Sequence, residues 1–264
     1  VREPTRKIVW IASYPKSGNT WLRFLTCNLL FGPIESAEKL DWLAPDLHEL
    51  RGTVQLPAQR VMFKTHFPYS PALPLGKFTF AALYIVRDPA DVLLSNYHYS
   101  KRTGAPGTID PADFDRYVDD FIATQGDPRW LAMNMGTWEG NVRSWIEATD
   151  EFPVLQLRYE DLLADGAAAA AGICRFLGIS RTPGQIEAAL AGASFERLRA
   201  IEESDIRARR HGIFYKPYLQ DSITAGLRFM RAGVGGEARR TLSDDQRRRF
   251  DAVFGAMRRR LNYC

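Results

Sequence analysis

Residues 7–31 read KIVWIASYPKSGNTWLRFLTCNLLF, and the fold is decided in this stretch. Residues 7–13 form a short β-rich run that ends in the turn signal Tyr14-Pro15-Lys16-Ser17-Gly18. Residues 19–31 then read as a mostly buried helix, closed by Gly32-Pro33. In a strand–turn–helix unit of this kind, backbone N–H groups of the turn and of the helix N-terminus converge where an anion can sit. Gly18 permits close backbone approach, Ser17 and Thr20 add hydroxyls, and Lys16 adds positive charge. The nucleoside-triphosphatase spacing G-x-x-x-x-G-K-[ST] is absent: Asn19 follows the glycine, and the lysine precedes it. Taken alone, the segment also fits an ordinary βα turn with a helix cap.

Further strand runs lie at 60–65, 78–86 and 153–157. Helical patterns occupy 88–101, 135–149, 167–177, 183–190 and 243–261. Strands alternating with helices predict one α/β domain over 1–264, with a central parallel sheet flanked by helices. Residues 103–111 read as a turn-rich loop. Residues 202–236, with several aromatics and no clear period, read as a long functional loop. No internal repeat is present.

The chain has 264 residues, 45% hydrophobic and 25% charged, with a formal charge of +4. That balance suits a globular protein with an anionic ligand. Its late arginine clusters, 247–249 and 258–260, read as a solvated helix face, and polyanion binding is the competing reading. The longest apolar stretch, 21–31, contains Arg23 and Asn28 and is too short to span a bilayer. No secretory leader pattern opens the sequence. Cys27, Cys174 and Cys264 are widely spaced with no metal-ligand cluster, so no metal is expected and a cytoplasmic setting is inferred.

Two positions outside the first unit invite chemistry. His66 falls just beyond a strand end, where open α/β sheets bind ligands, and an ordinary imidazole pKa near ~6.5 suits proton removal from a hydroxyl. A satisfied histidine capping the strand is the plain alternative. Arg87 ends another strand, with Asp88 at the N-cap and Pro89 in the first turn of the next helix. Arg87 and Ser95, two turns into that helix, suit a phosphate. A surface ion pair of Arg87 with Asp88 or Asp91 competes with that reading.

The octapeptide YPKSGNTW (14–21) resembles the 5′-phosphosulfate loop of the cytosolic-type sulfotransferases. The likeness continues in order. FKTHFP (63–68) is similar to the K-T-H-x-P strand end, and YIVRDPADVLLSNYH (84–98) to the 3′-phosphate segment. LRYEDL (157–162) is similar to the Y-E-D segment, and FMRAGVGG (229–236) to the closing R-K-G-x-x-G loop. Five ordered motifs imply an enzyme that moves a sulfuryl group from 3′-phosphoadenosine 5′-phosphosulfate (PAPS) to a hydroxyl or amine of a small-molecule, sugar or lipid acceptor.

The resemblance assigns His66 as general base, with Lys16 and Lys64 at the leaving phosphate. It places Lys16, Ser17, Gly18, Asn19 and Thr20 around the 5′ side of the donor. Arg87, Ser95, Arg231 and Gly233 fall to the 3′-phosphate. The adenine lies between Trp21 and Phe195, with Tyr159 and Ser194 hydrogen-bonding nearby. Three positions depart from the pattern: Ala193 stands for a threonine, Ala232 for the R-K-G lysine and Ala238 for a frequent tryptophan. No convincing dimer motif appears in the last helix, which leaves a homodimer open.

The alternatives are a small-molecule kinase and a non-enzymatic polyanion or nucleic-acid binder. The first predicts a lysine after the loop glycine and carboxylates for magnesium. The second predicts a nucleic-acid-binding motif, and none is seen. Trp42, Phe67, Tyr69, Tyr97, Trp130, Phe214, Tyr215 and Tyr218 hint at an apolar or aromatic acceptor. His48, His98 and His211 have no such context, and His48 reads as a loop residue.

Overall fold

Four strands take the anticipated runs: β1 Ile8–Ala12, β2 Val61–Thr65, β3 Thr79–Val86 and β4 Val154–Arg158. They come from a computed structural model that describes residues 6–52, 54–104 and 113–263. All pairings are parallel, in the order β2-β1-β3-β4. The α/β reading therefore stands, with a four-stranded parallel sheet at the centre.

Residue alternation sends two sets of side chains to opposite faces, and each face has its own core. Ile8, Trp10, Ala82 and Tyr84 join a cluster containing Tyr117, Phe121, Trp138, Trp145, Phe250 and Phe254. Val9, Ile11, Leu83 and Ile85 join the other, with Leu22, Phe24, Leu25, Ile173, Leu198 and Phe214. Helices cover both faces: α1 Asn19–Phe31, α2 Ala37–Leu43, α3 Pro89–Thr103, α4 Phe114–Ala123, α5 Trp138–Ile146, α6 Gly166–Leu177, α7 Pro183–Gly192, α8 Phe195–Arg207 and α9 Asp244–Arg260.

The expected helix at 135–149 is shorter, starting at the Thr137 cap after Gly136 turns the chain at φ 76°. Helices α2, α4 and α8 were not anticipated. The segment 202–236 is not wholly irregular, because Glu202–Arg207 complete α8 and Gln220–Thr224 form a short helix. Of the loop expected at 103–111, Thr103 ends α3 and Gly104 caps it; the remainder lies outside the described residues.

The chain leaves β1 for β2 on one side of it and returns to β3 on the other. The crevice beyond the carboxyl ends of β1 and β3 is thus the switch point where such sheets bind ligands. Helix α3 starts there. Asp88 caps it by accepting the Ala90 N–H at 2.9 Å, and its other carboxylate oxygen takes Arg258 of α9 at 3.1 Å.

Candidate active site

Every strand delivers chemistry to the crevice from its carboxyl end. Beyond β1 the chain turns through Lys16, held at φ 68°, and Gly18, at φ 99°, before α1 begins. Glycine is required at 18 for two reasons. The left-handed backbone disfavours a side chain, and a Cβ would lie 2.6 Å from Tyr159 Cδ2. Asn19 locks the turn from beneath, its Nδ2 donating to Ile11 O at 3.1 Å and Ser13 Oγ at 3.3 Å. Lys16 is half-buried, with its ammonium 4.1 Å from the Tyr99 ring centre and 4.2 Å from that of Phe229. Burial, with Arg102 and Arg87 close by, pulls its pKa down from 10.5 to about 7.

At the end of β2, Lys64 Nζ pairs with Asp46 at 2.7 Å, both largely buried. Burial lowers the Lys64 pKa. Burial also works against the Asp46 carboxylate, but the ammonium beside it wins and holds that carboxyl well below its usual range. His66 Nδ1 lies 2.8 Å from the Ser13 carbonyl, which can only accept, so Nδ1 carries the proton and Nε2 keeps its lone pair. The His66 backbone N–H donates to His48 Nε2 at 2.9 Å. Burial, then the Lys64 and His48 charges, push the His66 pKa well below 6.5. Burial and Lys64 take His48 down to about 4. His66 is therefore a neutral imidazole at pH 7, more firmly so than its ordinary pKa suggests.

At the end of β3, the Arg87 guanidinium stacks 4.4 Å above the Tyr159 ring and donates to Val234 O at 2.8 Å. Its Nε has no hydrogen-bond partner among the described residues. The alternative pair with Asp91 is present at 3.9 Å, but it is buried rather than on the surface, with Arg87 only 8% exposed. Asp91 chiefly serves the late loop, accepting the N–H groups of Gly236 at 2.6 Å and Ala238 at 3.1 Å. Glu202, fully buried in α8, accepts those of Phe229 at 2.6 Å and Met230 at 2.9 Å. Two buried carboxylates thus hold the two ends of residues 229–238. Arg231, between them, makes a two-pronged ion pair with Glu237. Gly233 lies flat on Phe195: at φ 67°, a Cβ there would stand 2.5 Å from the ring.

Lys16, Gly18, Asn19, Thr20, Trp21, Lys64, His66, Arg87, Ser95, Tyr159, Phe195, Arg231 and Gly233 all line one cleft. The cleft measures about 1450 Å³ when the open solvent at its mouth is included. Two anticipated residues do not line it. Ser17 Oγ is buried without a hydrogen-bond partner among the described residues, and Ser194 caps α8 by accepting the Arg197 N–H at 3.2 Å. Trp21 meets Tyr159 edge-on, with ring centres 5.3 Å apart.

Sequence reasoning missed Asp46, His48, Arg102, Asp91 and Glu202. For Asp46 and His48 the only local trace is the D-L-H turn, in which Asp46 caps the His48 N–H. Of the eight aromatics offered for an acceptor, only Trp130 and Tyr218 reach the cleft. Phe214, Tyr97 and Tyr215 are buried, Phe67 and Tyr69 pack on the core, and Trp42 faces solvent.

Comparison with known proteins decides between the readings. The sulfotransferase domain model matches residues 6–261. The chain belongs to the sulfotransferase domain family. As such it is a transferase, and PAPS is its sulfuryl donor. The 3-beta-hydroxysteroid sulfotransferase of Cavia porcellus is 27% identical over 250 residues, covering 92% of this chain and 80% of that protein. Sulfotransferase 1A1 of Canis lupus familiaris is 28% identical over 257 residues, covering 92% and 81%. In structure, the chain is similar to the mouse sulfotransferase SULT7A1 complexed with PAP, with a TM-score of 0.68, 23% identity and coverage of 98% of this chain and 85% of that one. Retinol dehydratase in complex with androsterone and PAP gives a TM-score of 0.67 at 18% identity, covering 96% and 80%. The kinase and polyanion readings are not favoured. Among the described residues of this sulfotransferase, no helix is long and apolar enough to cross a membrane, and no group of three or more His, Cys, Asp or Glu is placed to hold a metal ion.

Proposed function

We propose that this chain is one sulfotransferase domain that moves a sulfuryl group from PAPS to an acceptor hydroxyl, with His66 as the general base. The observation that carries the assignment is the His66 tautomer, since Nδ1 is committed to the Ser13 carbonyl and Nε2 is free to accept a proton. The residues present fit the donor. The glycine cradle at 18 admits an anion, Lys16 and Arg87 supply cations at two separate points, and Trp21 and Phe195 supply flat faces. Bound PAPS supplies an activated sulfuryl group on a phosphate leaving group.

The roles of the chain's own residues follow. Lys16 and Lys64 stabilise negative charge at the leaving phosphate, and the depressed Lys16 pKa means that an anion beside it restores its proton. Arg87, Ser95 and Arg231 hold the 3′ end, Arg231 after leaving Glu237. Asn19 and Gly18 shape the turn. Tyr159 orders the ring stack, while Ser194 acts through the helix start that it caps. The late arginines support this reading over polyanion binding: Arg248, Arg249, Arg258 and Arg260 each face a carboxylate. Buried, unpaired Cys27 and Cys174 support the cytoplasmic placement.

The test is His66→Ala. Turnover with a hydroxyl acceptor falls roughly 10²–10⁴-fold while nucleotide affinity holds. In a series of phenols, the deficit shrinks as the acceptor becomes more acidic. In the parent protein the acid limb of the rate lies below the pH at which an ordinary imidazole protonates, because burial depresses the His66 pKa. A deficit constant across the phenols, with folding intact, moves His66 from base to positioning residue.

A further inference from the structure

One wall of the cleft leads from the K-T-H strand end away from the donor loops. It starts at His66 and runs through contacts already described: His66 to His48, and Lys64 to Asp46. It continues to Glu49, which is ion-paired with Lys216, and to Asp41, which is paired at 2.8 Å with the almost fully buried Arg23. All of these residues line the cleft. Tyr99, Trp130 and Tyr218 supply aromatic surface, and Met135, Ile213 and Leu219 are among the aliphatic residues of the cleft.

Such a wall discriminates by desolvation. A sterol or a simple phenol seated on it covers the exposed edges of these pairs, chiefly Glu49–Lys216, and beyond its reacting hydroxyl returns no hydrogen bonds to them. A ligand rich in hydroxyls returns both donors and acceptors to the carboxylates, ammoniums and guanidinium. Each carboxylate already has its own cation, so the wall has no spare charge with which to select an ionic acceptor. Its aromatics present flat apolar faces with polar tips, matching the C–H face and hydroxyl edge of a ring polyol.

We infer that the acceptor is a polyhydroxylated ring compound, a glycoside or cyclic polyol, held with one hydroxyl at His66 and others on the Asp46, Glu49–Lys216 and Asp41–Arg23 pairs. This rests on the sulfotransferase reading above and narrows its acceptor.

The experiment uses the full chain with labelled PAPS and three acceptor groups: methyl glycosides and disaccharides, inositols, and a 3-hydroxysteroid with 2-naphthol. In parallel, binding of each to the PAP-saturated protein is followed by ligand-observed NMR. The expected result is that a glycoside or inositol gives the highest kcat/KM and binds where the steroid does not. Glu49→Gln, at a half-exposed carboxylate, then raises KM for that acceptor about tenfold, as expected for a lost charged hydrogen bond, with PAP affinity unchanged. Preference for the steroid or naphthol overturns the inference and leaves the sulfotransferase intact. So does absence of both transfer and binding for every glycoside and inositol while PAP binds. Failure to bind PAP at all, with the protein folded, overturns the underlying reading instead.

Discussion

The two loops that flank the donor cleft reach similar ends by opposite means. The early one, Tyr14–Thr20, is shaped by its own residues: a glycine at φ 99°, and an asparagine that bonds back to Ile11 and Ser13 within eight positions. The late one, residues 229–238, has little local order and is held by Glu202 and Asp91, the latter about 145 residues away in sequence. The first is fixed by backbone preference, the second by buried charge. Damage should therefore show as distortion in one and as loosening in the other.

The hardest break is Gly18→Ala. The new methyl meets Tyr159 and must adopt a left-handed backbone, which together cost on the order of 2–5 kcal/mol. The melting temperature should fall by several degrees, and affinity for adenosine 3′,5′-bisphosphate (PAP) by more than about 100-fold. Near-parental affinity in calorimetry would show that the turn tolerates a side chain, and the contrast between the loops would collapse.

Glu202→Gln strikes the other loop. One of two backbone N–H groups loses its partner and the other loses a charged one, costing about 1.5–3 kcal/mol. Amide exchange at Phe229 and Met230 should quicken, and PAP affinity should drop about tenfold, with residues 14–20 unchanged. Equal quickening in both loops would mean that they are one cooperative unit.

The smallest effect is the most diagnostic of charge. Lys16, at about 7 in the folded chain against 10.5 in an unfolded one, holds fewer protons when folded. Its contribution to stability therefore rises between pH 7 and 10.5, and below pH 7 the charged form opposes folding. Anion binding needs the proton back. PAP affinity should weaken above pH 7, by up to about tenfold per pH unit until other groups intervene, and Lys16→Met should flatten that slope. A slope that survives the substitution assigns the titration elsewhere.

The same contrast explains what could be read from the sequence. The sheet, α1 and the phosphate turn were legible because strand periodicity, a glycine and a helix start are local signals. The ends of β2 and β3 were legible because His66 and Arg87 follow their strands directly. The Asp46–Lys64 pair, the Glu202 tether and the Arg231–Glu237 pair were not, since a carboxylate on a helix or turn looks the same whether it faces solvent or a buried backbone. Most of the aromatics offered for the acceptor were misplaced for a related reason: composition counts rings but does not say that Phe214 and Tyr97 are core. Helices α2, α4 and α8 went unread because their starts are set by caps, here Ser36, Asp113 and Ser194, more than by a visible period.

The bond from Arg258 to Asp88 spans 170 residues and touches no part of the cleft. A ribosome releases β3, Arg87 and the start of α3 long before it reaches α9. Until then, the helix cap beside the 3′-phosphate position carries a carboxylate oxygen with no guanidinium to meet it, in a place that burial would otherwise discharge. A chain that ends at residue 240 already contains every residue proposed for the donor, yet it has not finished the helix end that presents Arg87 and Ser95. A chain stopped short of the last turns of α9 should therefore be recovered as one that binds PAP poorly although its cleft is chemically complete.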